Sequence, residues 1–133
     1  MEKELYKAYL AGLIDGEGSI LLERVHANEH RSPAVSISTT TPELFDNLIE
    51  TYGGSISTKK ERNGNLPAVQ YKVKGDKALV LLNDILPYLK HYKKISRAKH
   101  LIDNYKNVTA RNGKYSEEKL KLKLQFEEDF FKL

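Results

Sequence analysis

The sequence has no cysteine, no tryptophan and only one methionine among its 133 residues. Without thiols the chain can form neither a disulfide nor a thiolate metal site. No apolar run approaches the roughly 20 residues that cross a membrane. The opening residues, MEKELYKAYL, also lack the continuous apolar stretch of a secretory signal. We therefore expect an intracellular protein, in a prokaryotic cytoplasm or an organelle matrix, that is neither secreted nor bound to a membrane.

The composition is that of a globular chain, with 40% hydrophobic and 30% charged residues. This length is typical of one domain with a real core, so residues 1–133 are predicted to form a single domain. The net charge of +4 and the pI of about 9.1 make the chain moderately basic. A basic chain is compatible with a nucleic-acid partner, but charge of this size does not by itself identify one.

The stretch LAGLIDGEG, from Leu10 to Gly18, is the most informative part of the sequence. From Glu4 onwards the apolar residues recur at helical spacing, which predicts a helix with an apolar face; that face holds Leu5, Tyr9, Leu10, Leu13 and Ile14. Small residues spaced by four form a second row on the same helix: Ala8, Gly12 and Gly16. Such a row lets two helix backbones approach closely.

The predicted helix ends in two acids, Asp15 and Glu17, which alternate with glycine. Carboxylates at a helix C-terminus face the negative end of the helix dipole. A bound cation would offset that repulsion, so this end of the helix is a candidate metal site.

The LAGLIDGEG stretch resembles the motif of the LAGLIDADG homing endonucleases. Seven of the nine letters agree, and the departures are Gly16 for alanine and Glu17 for aspartate. Both exchanges look usual for the family. The motif occurs once, which is similar to the single-motif members that act as homodimers.

The remaining pattern predicts helix-strand-strand-helix-strand-strand-helix. This is an α+β fold with one antiparallel four-stranded sheet and helices on one face, as in LAGLIDADG endonucleases. The strands are predicted at Ser19–Ala27, Ala34–Thr39, Ser55–Lys60 and Ala68–Lys74, with a turn at Arg62–Asn65. Further helices are predicted from Thr41 to Tyr52, from Asp76 as cap to Leu86, from Ser96 as cap to about Tyr105, and from Ser116 as cap to Phe130. The pair Gly53-Gly54 is predicted to end the first of these helices, and its predicted inward residues are Leu44, Phe45, Leu48 and Ile49. The segment Lys106–Lys114 is the predicted linker.

Polar side chains occupy the outward positions of the predicted strands. They are short hydroxyls, an amide, an acid and cations, a set that can hydrogen-bond to base edges and phosphates. The predicted DNA-binding residues are Ser19, Glu23, Arg24, Ser36, Ser38, Ser57, Lys59, Gln70 and Lys72. The alternative interpretation is a sheet face that is polar only because it meets water.

Phosphodiester hydrolysis with Mg²⁺ needs only one or two protein carboxylates, because this ion keeps several waters. The resemblance implies that Glu17 binds the metal, with the Gly16 carbonyl as another ligand. Mg²⁺ is the expected cofactor, and Ca²⁺ or Mn²⁺ could take its place. If Gly12 packs helix against helix across a two-fold axis, the Glu17 side chains of two copies converge. Ala8, Gly12 and Asp15 are predicted to lie at this dimer interface, where Asp15 would bond backbone groups across the axis.

The resemblance implies two further catalytic residues. Thr39, at the end of the second strand, corresponds to a polar residue that bonds active-site water; a turn-forming threonine is the alternative. Lys94, four residues before Ala98, corresponds to a lysine near the scissile phosphate, and Lys93 is the other candidate. A solvated lysine is the alternative for this position.

The expected function is site-specific cleavage of double-stranded DNA by a homodimer at a long pseudo-palindromic target. The competing hypotheses are a non-cleaving relative and a generic basic binding module. The relative would be either a maturase that binds RNA or a DNA-binding regulator. Glu17 favours cleavage, because splicing and regulation do not need a metal-binding acid.

Overall fold

The computed structural model describes residues 1–59 and 67–133, and it confirms an α+β fold with one antiparallel four-stranded sheet. Its elements are α1 (Lys3–Glu17), β1 (Gly18–Glu23), β2 (Ser32–Thr39), α2 (Leu48–Tyr52), β3 (Ser55–Thr58), β4 (Val69–Lys74), α3 (Gly75–Ile85), α4 (Tyr92–Val108) and α5 (Glu117–Phe131), with 3₁₀ turns at Pro42–Phe45 and Leu86–Tyr88. None of the helices in the described ranges is long and apolar enough to cross a membrane.

The strands lie in the order β1-β2-β4-β3, so two hairpins meet along the central β2–β4 pair. Alternate residues of each strand face the helices, as the period of two requires. These inward positions are almost fully buried and include Ile20, Leu22, Val35, Ile37, Tyr71 and Val73. Helices α1, α3 and α4 contact the strands, and α5 packs against α4. The opposite face of the sheet has no helix over it among the described residues.

The fully buried residues of α1 lie in its second half. Leu10, Ala11 and Ile14 are completely buried, whereas Leu5 is 58% exposed. The prediction that Leu5 belongs to the apolar face was therefore wrong. The neighbouring Tyr6 packs against the core instead.

The segment from Thr41 to Tyr52 is not one helix. A 3₁₀ turn ends at Phe45, and Asn47 takes a left-handed backbone angle (φ 65°) before α2 begins. Because this break rotates the following turn, Ile49 is 44% exposed instead of buried. The predicted helix end at Gly53-Gly54 is confirmed, because both glycines have positive φ angles. The N–H of Gly53 donates to the carbonyl oxygen of Ile49 at 2.7 Å and so caps the helix.

Two predicted caps are wrong and one is confirmed. Asp76 lies in the first turn of α3 rather than capping it, and Ser96 lies inside α4, which begins at Tyr92. Ser116 does cap α5, because its Oγ accepts the N–H of Lys119 at 3.1 Å. Helix α4 also runs to Val108, so it includes the first residues of what was predicted as a linker at Lys106–Lys114.

Several strand ends differ from the predicted ends. β1 ends at Glu23 rather than Ala27, and β3 ends at Thr58. β2 begins at Ser32, two residues earlier than predicted. The predicted turn at Arg62–Asn65 and the predicted end of β3 at Lys60 lie outside the described residues.

Candidate active site and nucleic-acid interface

Glu17 lies at the junction where α1 passes directly into β1. No loop separates the two elements, because Gly18 is both the C-cap of α1 and the first residue of β1. A Cβ at Gly18 would lie 2.8 Å from Ile14 Cα, so only glycine fits this junction. The junction holds Glu17 and Gly16 at the end of α1, and both residues are exposed.

Asp15 holds the start of α4. Its two carboxylate oxygens accept the backbone N–H groups of Lys90 at 2.9 Å and His91 at 3.1 Å. His91 is the N-cap position of α4, so Asp15 satisfies free donors at the positive end of that helix. Asp15 therefore bonds backbone groups of its own chain. Its predicted contact with backbone groups across a dimer axis stays a prediction.

Lys94 makes the reverse contact, from the first turn of α4 to the end of α1. Its Nζ donates to the carbonyl oxygens of Ile14 and Asp15, both at 2.8 Å. The ammonium group of Lys94 thus lies at the negative end of the α1 dipole, where a cation is favoured. The predicted metal site at this helix end stays a prediction. Together Asp15 and Lys94 form a reciprocal pair of caps that fixes the α1–β1 junction against α4.

This geometry bears directly on the predicted catalytic lysine. The Nζ of Lys94 contacts the last turn of α1, because its two acceptors are the carbonyl oxygens of Ile14 and Asp15. Glu17 lies in the same turn. Lys93, the other candidate, is exposed. A catalytic role for Lys94 stays a prediction, and any such role would be shared with capping α1.

Thr39 ends β2 and takes part in a turn. Its Oγ1 accepts the N–H of Thr41 at 3.1 Å, which matches the alternative interpretation of a turn-forming threonine. Gly18 pairs with Ile37, so Thr39 lies two residues further along β2, beside the end of α1. Its proposed contact with active-site water stays a prediction.

The predicted DNA-binding side chains share the open face of the sheet. Register aligns them in rows across the strands: Ser19–Ser36–Lys72–Ser55 and Ser38–Gln70–Ser57. Ser19 and Ser57 are exposed, and Ser38, Gln70 and Lys72 are partly exposed. Ser36 is only 9% exposed, so its hydroxyl offers little surface to a ligand. Arg24 is exposed just beyond the end of β1, and Lys59 is exposed just beyond β3.

Two of these residues pair with each other. Glu23 on β1 and Lys72 on β4 form an ion pair across the intervening strand β2. Each side chain is 31% exposed, so both still reach the surface. In the free chain these two charges offset each other, and contact with a phosphate or a base would separate or rearrange the pair.

Three further residues belong to this face. Ser32 pairs with Glu23, Ser55 pairs with Lys72, and Lys74 pairs with Ala34. Lys74 is exposed and adds another cation. The sequence could have identified Lys74, because it continues the alternation of outward polar residues that begins with Gln70 and Lys72 on β4. It could not identify Ser32 in the same way, because Ser32 lies before the predicted start of β2.

The row of small residues on α1 lies on the surface of the chain. Ala8, Gly12 and Gly16 are exposed, and a Cβ placed on either glycine would have no atom within 4 Å apart from the adjoining residues and backbone of its own helix. A flat, side-chain-free strip of helix therefore faces outward beside Glu17. No group of three or more acidic or histidine side chains gathers anywhere in the described ranges.

The family model described as LAGLIDADG endonuclease matches residues 10–109, from the motif helix through α4. The match covers most of the chain. The protein belongs to the LAGLIDADG endonuclease family.

Solved structures of homing endonucleases share the fold at low sequence identity. I-CvuI in complex with its target in the presence of calcium is 22% identical, with a TM-score of 0.58, and the match covers 79% of this chain and 72% of I-CvuI. The archaeal intron-encoded I-Vdi141I, complexed with DNA, is 20% identical with a TM-score of 0.54, covering 96% of this chain and 86% of that one.

I-SmaMI bound to an uncleaved DNA target in the presence of calcium ions is 18% identical, with a TM-score of 0.59. The match covers 95% of this LAGLIDADG chain but only 45% of I-SmaMI, so the chain spans less than half the length of that protein. No curated protein sequence matches this chain.

Proposed function

We propose that this chain is a site-specific endonuclease that cuts both strands of DNA as a homodimer, with a divalent metal ion bound at Glu17. The observation that carries this proposal is the position of Glu17. It is an exposed carboxylate at the end of the family's motif helix, fixed at the α1–β1 junction beside a polar sheet face.

The donor set fits Mg²⁺ if two copies of the chain share one centre. Each chain offers the Glu17 carboxylate and the adjacent Gly16 carbonyl, and hard oxygen donors of this kind suit Mg²⁺. A two-fold axis along the exposed row of Ala8 and Gly12 would bring two Glu17 residues together. The metal, when bound, supplies a Lewis acid that activates water and neutralises charge on the phosphate.

The residues around Glu17 have positioning roles in this proposal. Asp15 and Lys94 cap two helix ends reciprocally and so fix the direction in which the end of α1 points. A carboxylate that binds metal must be held within about half an ångström of its working position. We further propose that Lys94 or Lys93 contacts the scissile phosphate and that Thr39 holds a water near Glu17.

Sequence recognition is assigned to the open face of the sheet. The eight residues of β2 extend about 26 Å at 3.3 Å per residue, which matches about eight base pairs of groove. A two-fold dimer presents this face twice, so the target is expected to be a pseudo-palindrome of about 15–22 base pairs. We propose that the protein acts in a prokaryotic cytoplasm or in an organelle matrix.

Selection of cleavable sites from a random DNA library tests the proposal. The protein is incubated with the library and Mg²⁺, and a parallel reaction contains EDTA. We expect enrichment of a pseudo-palindromic site only when metal is present. Enrichment by binding without any cleavage would instead favour a DNA-binding regulator, and preference for structured intron RNA would favour a maturase.

A further inference from the structure

Helix α5 contacts the loop that joins β1 to β2, residues 24–31. Oε2 of Glu127 accepts the backbone N–H of Arg31 at 3.3 Å, and Oε1 lies 3.8 Å from Arg31 Nε. The ring of Phe131, one helical turn further on, lies 4.9 Å from the centre of the same guanidinium group. Arg31 is thus held between two residues of α5.

Two more contacts fix the same end of the loop. Nη1 of Arg31 donates to the Leu22 carbonyl on β1 at 3.5 Å, so one side chain joins the loop, the strand and the helix. The ring of His30 lies against Tyr115, with ring centres 4.5 Å apart, just before α5 begins. Residues 24–30 are otherwise exposed, and a short turn from His26 to Glu29 is their internal support.

Glu127 is unusually buried for an acidic residue on an outer helix. It is only 9% exposed, whereas the next residue, Glu128, has a side chain that is 63% exposed and pairs with Lys132. Burying a carboxylate costs free energy unless a partner compensates. Arg31 is such a partner, so this arginine is occupied within the protein and is not free to bind a phosphate.

The loop and α5 also lie away from the catalytic end of the molecule. β1 runs from Gly18, beside Glu17, to Glu23, and its length places the loop about 17 Å from that junction. In DNA this distance corresponds to about five base pairs. Helix α5 itself follows the region that matches the family, residues 10–109.

We propose that α5 is a positioning element for DNA recognition: Glu127 and Phe131 hold the β1–β2 loop so that it meets the outer base pairs of each half-site. The inference rests on the proposed function, because it assigns the loop to DNA. It makes Glu127 and Phe131 positioning residues that act through Arg31 without touching the nucleic acid.

The test compares Glu127→Ala with Glu128→Ala, which removes the same charge from the next position of the same helix. Preference at every base pair is measured by library selection, and amide hydrogen exchange is measured on the free proteins. For Glu127→Ala we expect exchange in residues 24–31 to become about tenfold faster. We also expect discrimination beyond about five base pairs from the centre to fall roughly fivefold or more per position, while the inner positions are unchanged. Glu128→Ala should match the parent in both measurements.

Phe131→Ala is the second variant, since Phe131 is 55% exposed and its removal leaves the core intact. It should loosen the loop in the same way, by a smaller factor. Unchanged exchange in residues 24–31, or a loss of discrimination spread evenly over inner and outer positions, would overturn the inference. If the parent protein selects no DNA site at all, the proposed function itself fails; if the parent selects a site and Glu127→Ala selects it equally well, only the role of α5 fails.

Discussion

Lys123 is the most unusual side chain in the core, and replacing it by methionine should stabilise the protein. The side chain is fully buried, with its Nζ 2.8 Å from Thr109 Oγ1 and 4.3 Å from the ring centre of Tyr105. Phe126 lies on another side, with its ring centre 5.5 Å from Nζ. Burial lowers the pKa of this amine from 10.5 to about 8, and nearby Glu127 opposes the change only in part.

This pKa sets both the size and the sign of the effect. Each tenfold change in proton affinity is worth about 1.4 kcal/mol, so the lowered pKa corresponds to a cost of about 3 kcal/mol for keeping the charged amine buried. The cost is fully present below pH 8, where both states are protonated. Between pH 8 and 10.5 the unfolded chain binds more protons than the folded one, so stability rises with pH.

Methionine removes this cost but also removes the hydrogen bond to Thr109 and the contact of the ammonium with Tyr105. These contacts together are worth about 1–2 kcal/mol. The free energy of unfolding at pH 7 should therefore rise by about 1–2 kcal/mol in Lys123→Met. For a domain of this size the Tm should rise by roughly 3–8 °C.

Urea unfolding at several pH values from 7 to 9.5 measures the prediction, and Lys121→Met, at an exposed position of the same helix, is the control. The range stops below pH 10 because burial raises the pKa of Tyr71 to about 12, which costs stability once the unfolded tyrosine ionises. The advantage of Lys123→Met should shrink as the pH rises through 8. A variant that is less stable than the parent at pH 7, or an advantage that does not depend on pH, would refute the reasoning.

Two further predictions concern the motif helix and its partners. Lys94→Ala should lower the free energy of unfolding by about 1–2 kcal/mol, because two carbonyls at the end of α1 lose a charged donor, and it should slow cleavage without changing base preference. The control Lys93→Ala, at an exposed position, should leave the free energy of unfolding unchanged. Equal losses of stability in both variants would contradict the capping role of Lys94. Gly12→Leu should convert the expected dimer to a monomer in light scattering, since a large side chain on the exposed small-residue row would hold two helices apart, and a parent protein that is already monomeric would contradict the shared metal centre.

Local signals in the sequence were sufficient for most of the fold. Strict alternation predicted the inward residues of β2 and β4, and the pair Gly53-Gly54 predicted the end of α2. The Ser116 cap was predicted because its donor lies only three residues away. Each of these features depends on neighbours in sequence, which is the information that a periodic pattern contains.

Contacts between distant segments explain the errors. Helix α4 begins at Tyr92 rather than near Ser96 because its cap is the carboxylate of Asp15, 75 residues before Lys90. The sequence identified both Asp15 and Lys94 as important, but it could not show that they cap each other's helices. A side chain that satisfies a helix end from another element leaves no mark at that end.

The buried face of helix α5 could not be predicted from the sequence for a different reason. Leucines at positions 120, 122 and 124 alternate with lysines, yet the helix buries Lys123 and leaves these leucines 36–59% exposed. Phe126 and Phe130, three and seven residues beyond Lys123, dominate the packing against α4 and so fix the rotation of the helix. The larger aromatic rings bury more apolar surface than the leucines would.

The central claim, that Glu17 binds the metal that cleaves DNA, is tested most directly by Glu17→Gln on a site selected with the parent protein. Cleavage of that site with Mg²⁺ and its binding with Ca²⁺ are measured for both proteins. We expect Glu17→Gln to lose cleavage of both strands while its affinity for the site stays within about threefold, because base and phosphate contacts supply binding and the carboxylate supplies the metal site. Nicking or cleavage by Glu17→Gln at saturating Mg²⁺ would contradict the claim.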